Sequence, residues 1–188
     1  KAALKESETR LKLAIEAAHQ GLWDWDIRAN ENYLSPDFYR ILGYQYYEEP
    51  PIPFKPDYDQ WLLHVHPDDR QRVAEFQQRY LDEEIPKYEV ELRVRCKDGS
   101  YRWISSKGQI VQKNRLGIPI RMVGIINDIT ERKRTDELLR RSEEQMKMTV
   151  QNVPVMINAM DEKLNFVMWN AECERITGYS SKEIINNR

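Results

Sequence analysis

The chain has 188 residues, 40% hydrophobic and 32% charged, with nine prolines and seven glycines; this is a globular composition and excludes collagen-like or low-complexity sequence. Its 29 basic and 31 acidic side chains leave a net charge of −2, which exerts no general pull on nucleic acid or anionic lipid. Cys96 and Cys173 are too few and too far apart for a disulfide framework and suit a reducing cytoplasmic setting; no apolar run reaches bilayer-spanning length and no signal-peptide pattern opens the chain.

In chain order, residues 3 to 19 are expected to form an amphipathic helix, with Leu4, Leu11, Ile15 and Ala18 on one stripe and Gly21 ending it. Leu22 to Ile27 reads as a strand with Trp23, Trp25 and Ile27 on one face. Asn30 to Asn32 turns into a short strand at Tyr33 and Leu34; Ser35 and Pro36 then cap and open a helix to Leu42, stopped by Gly43. Pro50 to Pro56 is a stiff, donor-poor loop. A short helix from Asp57 to Leu63 leads to VHPDDR, where Asp68 is expected to cap a helix from Asp69 to about Glu83.

Three strands follow. Tyr88, Val90, Leu92, Val94 and Cys96 alternate with Glu89, Glu91, Arg93 and Arg95, whose charged face is expected to be solvated, with cross-strand pairs at best. Lys97-Asp98-Gly99-Ser100 is a hairpin turn, Tyr101 to Lys113 the next strand, Asn114 to Gly117 a turn, and Ile118 to Ile129 the last strand. A helix then starts at Thr130 and Glu131. The layout is α+β with a five-stranded antiparallel sheet.

The chain also repeats itself. Residues 4 to 44 align without a gap on residues 139 to 179, so that Ser7 matches Ser142, Asp26 matches Asp161, Asn30 matches Asn165, and Gly43-Tyr44 matches Gly178-Tyr179. The apolar stripe recurs at Leu139, Met146, Val150 and Val153. The expected organisation is therefore an N-terminal helix (1–20), a complete unit (21–130), a connecting helix (131–153) and the opening part of a second unit (154–188). That second part lacks a three-stranded meander to cover Val167, Met168 and Trp169, so docking on the first unit or pairing with a neighbouring chain is expected to order it.

GLWDWDI, YLSPDFYRILGY, WLLHVHPDDR, YEVELRVRCKDGSYRWI and MVGIINDITERKR, in this order over about residues 20 to 133, together resemble a PAS domain of the branch with a tryptophan-rich first strand and an HPDD element. WNAECERITGYSSKEI resembles the start of another. The resemblance implies a sheet curved around a pocket under short helices. It also implies a sensory or dimerisation role ahead of a histidine kinase, a diguanylate cyclase or a further PAS domain, with the helix after the DIT element carrying the signal.

By facing, the pocket is expected to be lined by Trp25, Phe38, Ile41, Leu42, Trp61, Val90, Leu92 and Ile104, with Asn127 as a polar group on the last strand; the alternative is that these residues fill a dry core. For Trp23 and Trp103 the alternative to the core is the outer face of the sheet, beneath the N-terminal helix. Asp128, Thr130, Leu139, Met146 and Val150 are the expected signal-transmission residues. The connecting helix, densely charged around a narrow apolar seam, suits a parallel homodimer; the alternative is a lone helix packing its seam on its own domain.

His64 and His66 are read as an HxH pair on one face of a strand, with Asp68 and Asp69 as further oxygen donors, but no third and fourth ligand stands at a recognisable spacing, so no metal site is expected. His19, His64 and His66 are not where haem-binding relatives place an axial ligand, and neither Cys96 nor Cys173 sits in the motif of covalent flavin binders; noncovalent flavin or a small metabolite stays open. No nucleophilic elbow, cysteine–histidine arrangement or phosphate-cradling glycine loop is present, and Asp24 with Asp26 or Glu83 with Glu84 has no pocket behind it, so catalysis is not expected.

Overall fold

The computed structural model describes residues 20–45 and 57–186. The expected N-terminal helix and the proline-rich loop lie outside these residues. By their contacts the described residues form two compact units, one ending at Lys133 and the other beginning at Arg134.

The first unit is α+β around a five-stranded antiparallel sheet of β1 (Gly21–Asp26), β2 (Glu31–Leu34), β3 (Tyr88–Arg95), β4 (Tyr101–Lys113) and β5 (Pro119–Asp128), in the order β2-β1-β5-β4-β3. Alternation decides which side each residue takes. Trp23 pairs with Leu34 and Gly124, Trp25 with Asn32 and Met122, Ser106 with Val90 and Ile126, and these share the inner face. Helices α1 (Pro36–Ile41), α2 (Tyr58–His64) and α3 (Pro67–Leu81) supply the rest of the core. Phe38, Leu42, Leu92, Ile104, Met122 and Ile126 are almost wholly buried in it.

Two expectations are corrected here. Trp23 is not on the outer face: it is buried, edge-on to Tyr88 at 6.0 Å, because it shares the parity of Trp25. Trp103 does face outward, paired with Arg93. Asp68 is not the cap of α3 either. Pro67 takes the first helical position, where its missing N–H is harmless, so His66 becomes the cap and its Nδ1 accepts from the Asp68 N–H.

Asp69, in the first turn of α3, faces the sheet. Its carboxylate accepts from the Arg93 backbone N–H at 3.0 Å and from Arg93 Nε and Nη2, both at 2.9 Å. The Arg93 carbonyl accepts from the His66 N–H, and the Glu91 carbonyl from Arg72. These bonds occupy the open side of β3, an edge strand that would otherwise offer bare backbone groups. On the charged face of β3, Glu89 makes a cross-strand pair with Lys107, and Glu91 pairs beyond the sheet with Arg132 and Lys133.

The second unit repeats the opening of the first down to its hydrogen bonds. Ser35 Oγ accepts from the Leu22 and Phe38 N–H groups. Its counterpart Asn170 accepts from the Ile157 and Cys173 N–H groups through Oδ1. Helix α4 (Thr130–Asn152) leads into the hairpin β6 (Asn158–Met160) and β7 (Phe166–Trp169), then α5 (Ala171–Thr177) and α6 (Ser181–Asn186). Gly43 and Gly178 both hold φ near +80° after matching helices, the left-handed position glycine tolerates. Trp169 is buried and donates to the Tyr179 carbonyl, whereas Val167 and Met168 are exposed.

Asn170 is fully buried and also donates to the Val150 and Val155 carbonyls. Asn170→Ser keeps the cap but strands those two acceptors. It is expected to cost the second unit about 1–2 kcal/mol, read as faster hydrogen exchange at Ile157 and Cys173 than in the wild type.

Candidate functional site

The inner face of the sheet and the three helices enclose a cavity. β1 contributes Trp23 and Trp25, β2 Asn32 and Leu34, and α1 Phe38. Tyr58 and Trp61 come from α2, behind the cap Asp57; Gln77 comes from α3, and Tyr88, Ser106 and Ile126 from the sheet. Its concavity, mouth included, measures about 500 Å³, but the unfilled space at its centre is about 30 Å³. That centre has room for roughly two waters, so a flavin-sized ligand does not fit between the side chains as they stand.

The rings hold one another in place. Trp25 stacks on Tyr58 at 5.2 Å, and Trp61 meets Phe38 edge-on at 5.5 Å. Asn30, in the left-handed region at φ 53°, accepts through Oδ1 from both Trp25 Nε1 and the Tyr58 N–H. One short turn therefore ties β1 to the start of α2. Two buried polar atoms in the lining have no hydrogen-bond partner among the described residues: Asn32 Oδ1 and the Tyr58 hydroxyl. Burial, with a smaller push from Asp59, raises the Tyr58 pKa to about 12, so the phenol is neutral at any ordinary pH.

Of the residues expected from sequence, Trp25, Phe38 and Trp61 line this cavity. Leu42, Val90, Leu92 and Ile104 lie in the core without lining it, and Ile41 packs against that core half-buried. Asn127 is a correction: it pairs with Ser105 and, one residue from inward Ile126, points to the opposite face. Asn32, Tyr58 and Gln77 were missed. A polar residue two positions from inward Leu34, and one in the Val73-Gln77-Tyr80 stripe of α3, were the available signals.

The histidines are placed otherwise than the HxH reading expected. His64 is the last residue of α2, buried, with Nδ1 3.0 Å from the Gln60 carbonyl, and burial lowers its pKa. His66 is the α3 cap, edge-on to Tyr101 at 4.6 Å. No strand holds the pair, and Asp69 is engaged by Arg93. Among the described residues no three His, Cys, Asp or Glu side chains gather as a metal site would need. Cys96 and Cys173 are both buried free thiols, and burial raises the Cys96 pKa.

The exit from the sheet is a separate constellation. Asp128 Oδ1 accepts from the Thr130 N–H, and its Oδ2 from Arg102, which also donates to the Ile41 carbonyl at the end of α1. Thr130 Oγ1 accepts from the Trp103 N–H, and the Trp103 carbonyl from the Ile129 N–H. On the outer face the Trp103 ring lies 5.5 Å from the Arg93 guanidinium and 5.0 Å from Lys133 Nζ on the first turn of α4. Beyond that turn α4 carries no buried residue, and Leu138, Leu139 and Met146 are 59–70% exposed. Val150 is half-buried. No helix among the described residues is long and apolar enough to cross a membrane.

A family model described as the PAS fold matches residues 31–126. The chain is 41% identical to a solved sensory box histidine kinase/response regulator from Burkholderia thailandensis, with 74% of this chain and 98% of that one covered and a TM-score of 0.62. Among curated proteins it is similar to the probable diguanylate cyclase DgcE of Escherichia coli, at 26% identity over 94% of this chain and 15% of that protein. It is also similar to the sensor protein FixL of Bradyrhizobium diazoefficiens, at 25% identity over 93% of this chain and 33% of that protein. The chain thus spans a third or less of the length of these curated relatives.

Proposed function

The chain belongs to the PAS fold family, and from that premise we propose that it is a non-catalytic regulatory segment of a cytoplasmic signalling protein, which pairs as a parallel homodimer through its flanking helices and passes a signal along α4 to an effector in the same polypeptide. A PAS domain is a sensory module, and the relatives named above are kinases, cyclases and sensors. A histidine kinase is the effector we favour, on the 41% identity to a protein of that description; a diguanylate cyclase comes second.

The observation that carries this reading is α4 itself. It begins on the last strand of the sheet, held there by Asp128 and Thr130, and runs for 23 residues with Leu138, Leu139, Met146 and Met148 in solvent. Mixed charges around an exposed apolar seam are what a helix pair needs and what a lone surface helix does not. Leu139 and Met146, seven residues apart, would sit at equivalent positions along the partner helix.

Sedimentation at tens of micromolar is expected to show a dimer, and Leu139→Glu with Met146→Glu is expected to shift it to monomer by at least tenfold in dissociation constant. Both side chains are exposed, so the first unit's thermal midpoint should move by no more than about 2 °C. A monomeric wild type, or a dimer indifferent to both charges, would refute the pairing.

A second reading is favoured by the cavity: the unit is a receptor whose pocket holds a small ligand. The unpartnered Asn32 Oδ1 and Tyr58 hydroxyl support it, because buried polar atoms without partners are uncommon in native folds.

A further inference from the structure

The cavity has a chemical bias. Six aromatic rings line it, from Trp23, Trp25, Phe38, Tyr58, Trp61 and Tyr88, and among the described residues no lysine, arginine or histidine does. An anion would find no countercharge there. Its one carboxylate among the described residues is Asp57, whose Oδ1 caps α2 at the Gln60 N–H. The unpartnered Asn32 Oδ1 can only accept a hydrogen bond, so whatever meets it must donate.

Asn32 and Asp57 also line a second, open groove on the outside. Among the described residues that groove carries Asp24, Asp26, Glu31 and Asp57 against one guanidinium, Arg121, which is already bidentate on Asp24 at 2.8 and 2.6 Å. The approach to the aromatic interior is therefore acidic, and a cleft of one sign concentrates counterions of the other. Aromatic faces attract cations through their quadrupole, most strongly where water is excluded.

We propose that this pocket binds a small alkylammonium ion, drawn in through the acidic groove, packed against the tryptophan and tyrosine rings, and donating its N–H to Asn32 Oδ1 or the Tyr58 hydroxyl. The inference rests on the receptor reading above and names its ligand class. Space limits the group that enters to about four or five heavy atoms, with movement of the surrounding rings; any larger remainder of the ligand would lie in the groove.

The test compares three probes of four heavy atoms each at constant ionic strength: trimethylammonium, neutral 2-propanol, and acetate. Indole N–H signals in two-dimensional NMR report occupancy, with Trp23, Trp25 and Trp61 inside the cavity and Trp103 and Trp169 outside it as internal references. Trimethylammonium is expected to shift the three inner indoles saturably, with a dissociation constant of about 0.1–10 mM for so small a ligand. It is expected to bind at least tenfold more tightly than 2-propanol or acetate. Asp57→Asn preserves helix capping and is expected to weaken trimethylammonium about tenfold while leaving 2-propanol unchanged. Should that variant not fold, Glu31→Gln at the exposed groove is expected to weaken it two- to threefold. Equal binding of 2-propanol, or preference for acetate, would overturn the cation inference and leave a receptor of other specificity. Silence of the inner indoles to all three probes would overturn both.

Discussion

Replacing Gly124 by alanine is expected to destabilise the first unit by about 3 kcal/mol or more, at the upper end of what overpacking a core costs. Gly124 and Gly108 face each other across β4 and β5, and the Trp23 ring lies over both. A Cβ on Gly124 would stand 2.2 Å from the Lys107 carbonyl oxygen and 2.3 Å from the Trp23 ring; one on Gly108 would stand 2.6 Å from the same ring. A ring can swing aside, but a backbone carbonyl in a paired strand cannot, so no rotamer change relieves the first clash. The midpoint of urea unfolding measures the effect. Gly117→Ala is the control: it has open space and a φ of +81°, so it is expected to cost only about 1 kcal/mol. Adding Trp23→Leu to Gly124→Ala should recover little of the loss if the carbonyl contact dominates. Recovery of most of it would show the ring to be the obstacle.

The same glycines explain part of what the sequence left unread. Alternation in YEVELRVR and the turns at KDGS and NRLG, with the SP and HP pairs, place the strands and helices within a residue or two, because those signals are local. The direction of Trp23 was legible as well, since GLWDWD gives Trp23 and Trp25 one parity. The outer-face expectation, which set Trp23 beneath the N-terminal helix, ignored it. Two glycines in the middle of facing strands make room for the ring, and their register depends on turns whose lengths no periodicity encodes. Asn127 went wrong through the reverse neglect of parity, since Ile126 already fixed it outward. The cap of α3 was a competition between His66 and Asp68 for one role, and proline at the first helical position decided it. The next carboxylate, Asp69, binds 24 residues away at Arg93, a partner no local signal names.

That partnership carries the second large prediction: Asp69→Ala is expected to cost about 3–4 kcal/mol. The loss leaves the Arg93 N–H without its acceptor and the guanidinium with only the more distant Asp68 Oδ2, at 3.4 Å, at a site where the Asp69 side chain is only 9% exposed. Removing one partner of such a pair is far costlier than never having built it, though the 28% exposure of Arg93 lets water recover part. The Arg93 hydrogen bonds hold the Asp69 carboxyl down to about 2, below its ordinary 3.8. A depressed carboxylate stabilises the fold fully above the unfolded pKa and loses that contribution as pH falls through the folded one. The advantage of wild type over Asp69→Asn is therefore expected to be flat from pH 7 to about 4 and to shrink by on the order of 2 kcal/mol by about pH 2. A difference that stays constant across that window would mean that geometry, not ionisation, holds α3 to β3. The consequence reaches past stability. Asp69 fixes Arg93 over the outer face, where Arg93 and Lys133 share the Trp103 ring and Lys133 pairs with Glu91. One end of that contact is the helix that carries Gln77 to the cavity, and the other is the first turn of α4. Loss of Asp69 is thus expected to raise hydrogen exchange at Lys133 and the amides beside it at least tenfold more than at Ile104, which lies in the sheet core. Uniform protection loss across both would show that the outer face does not brace α4 at all.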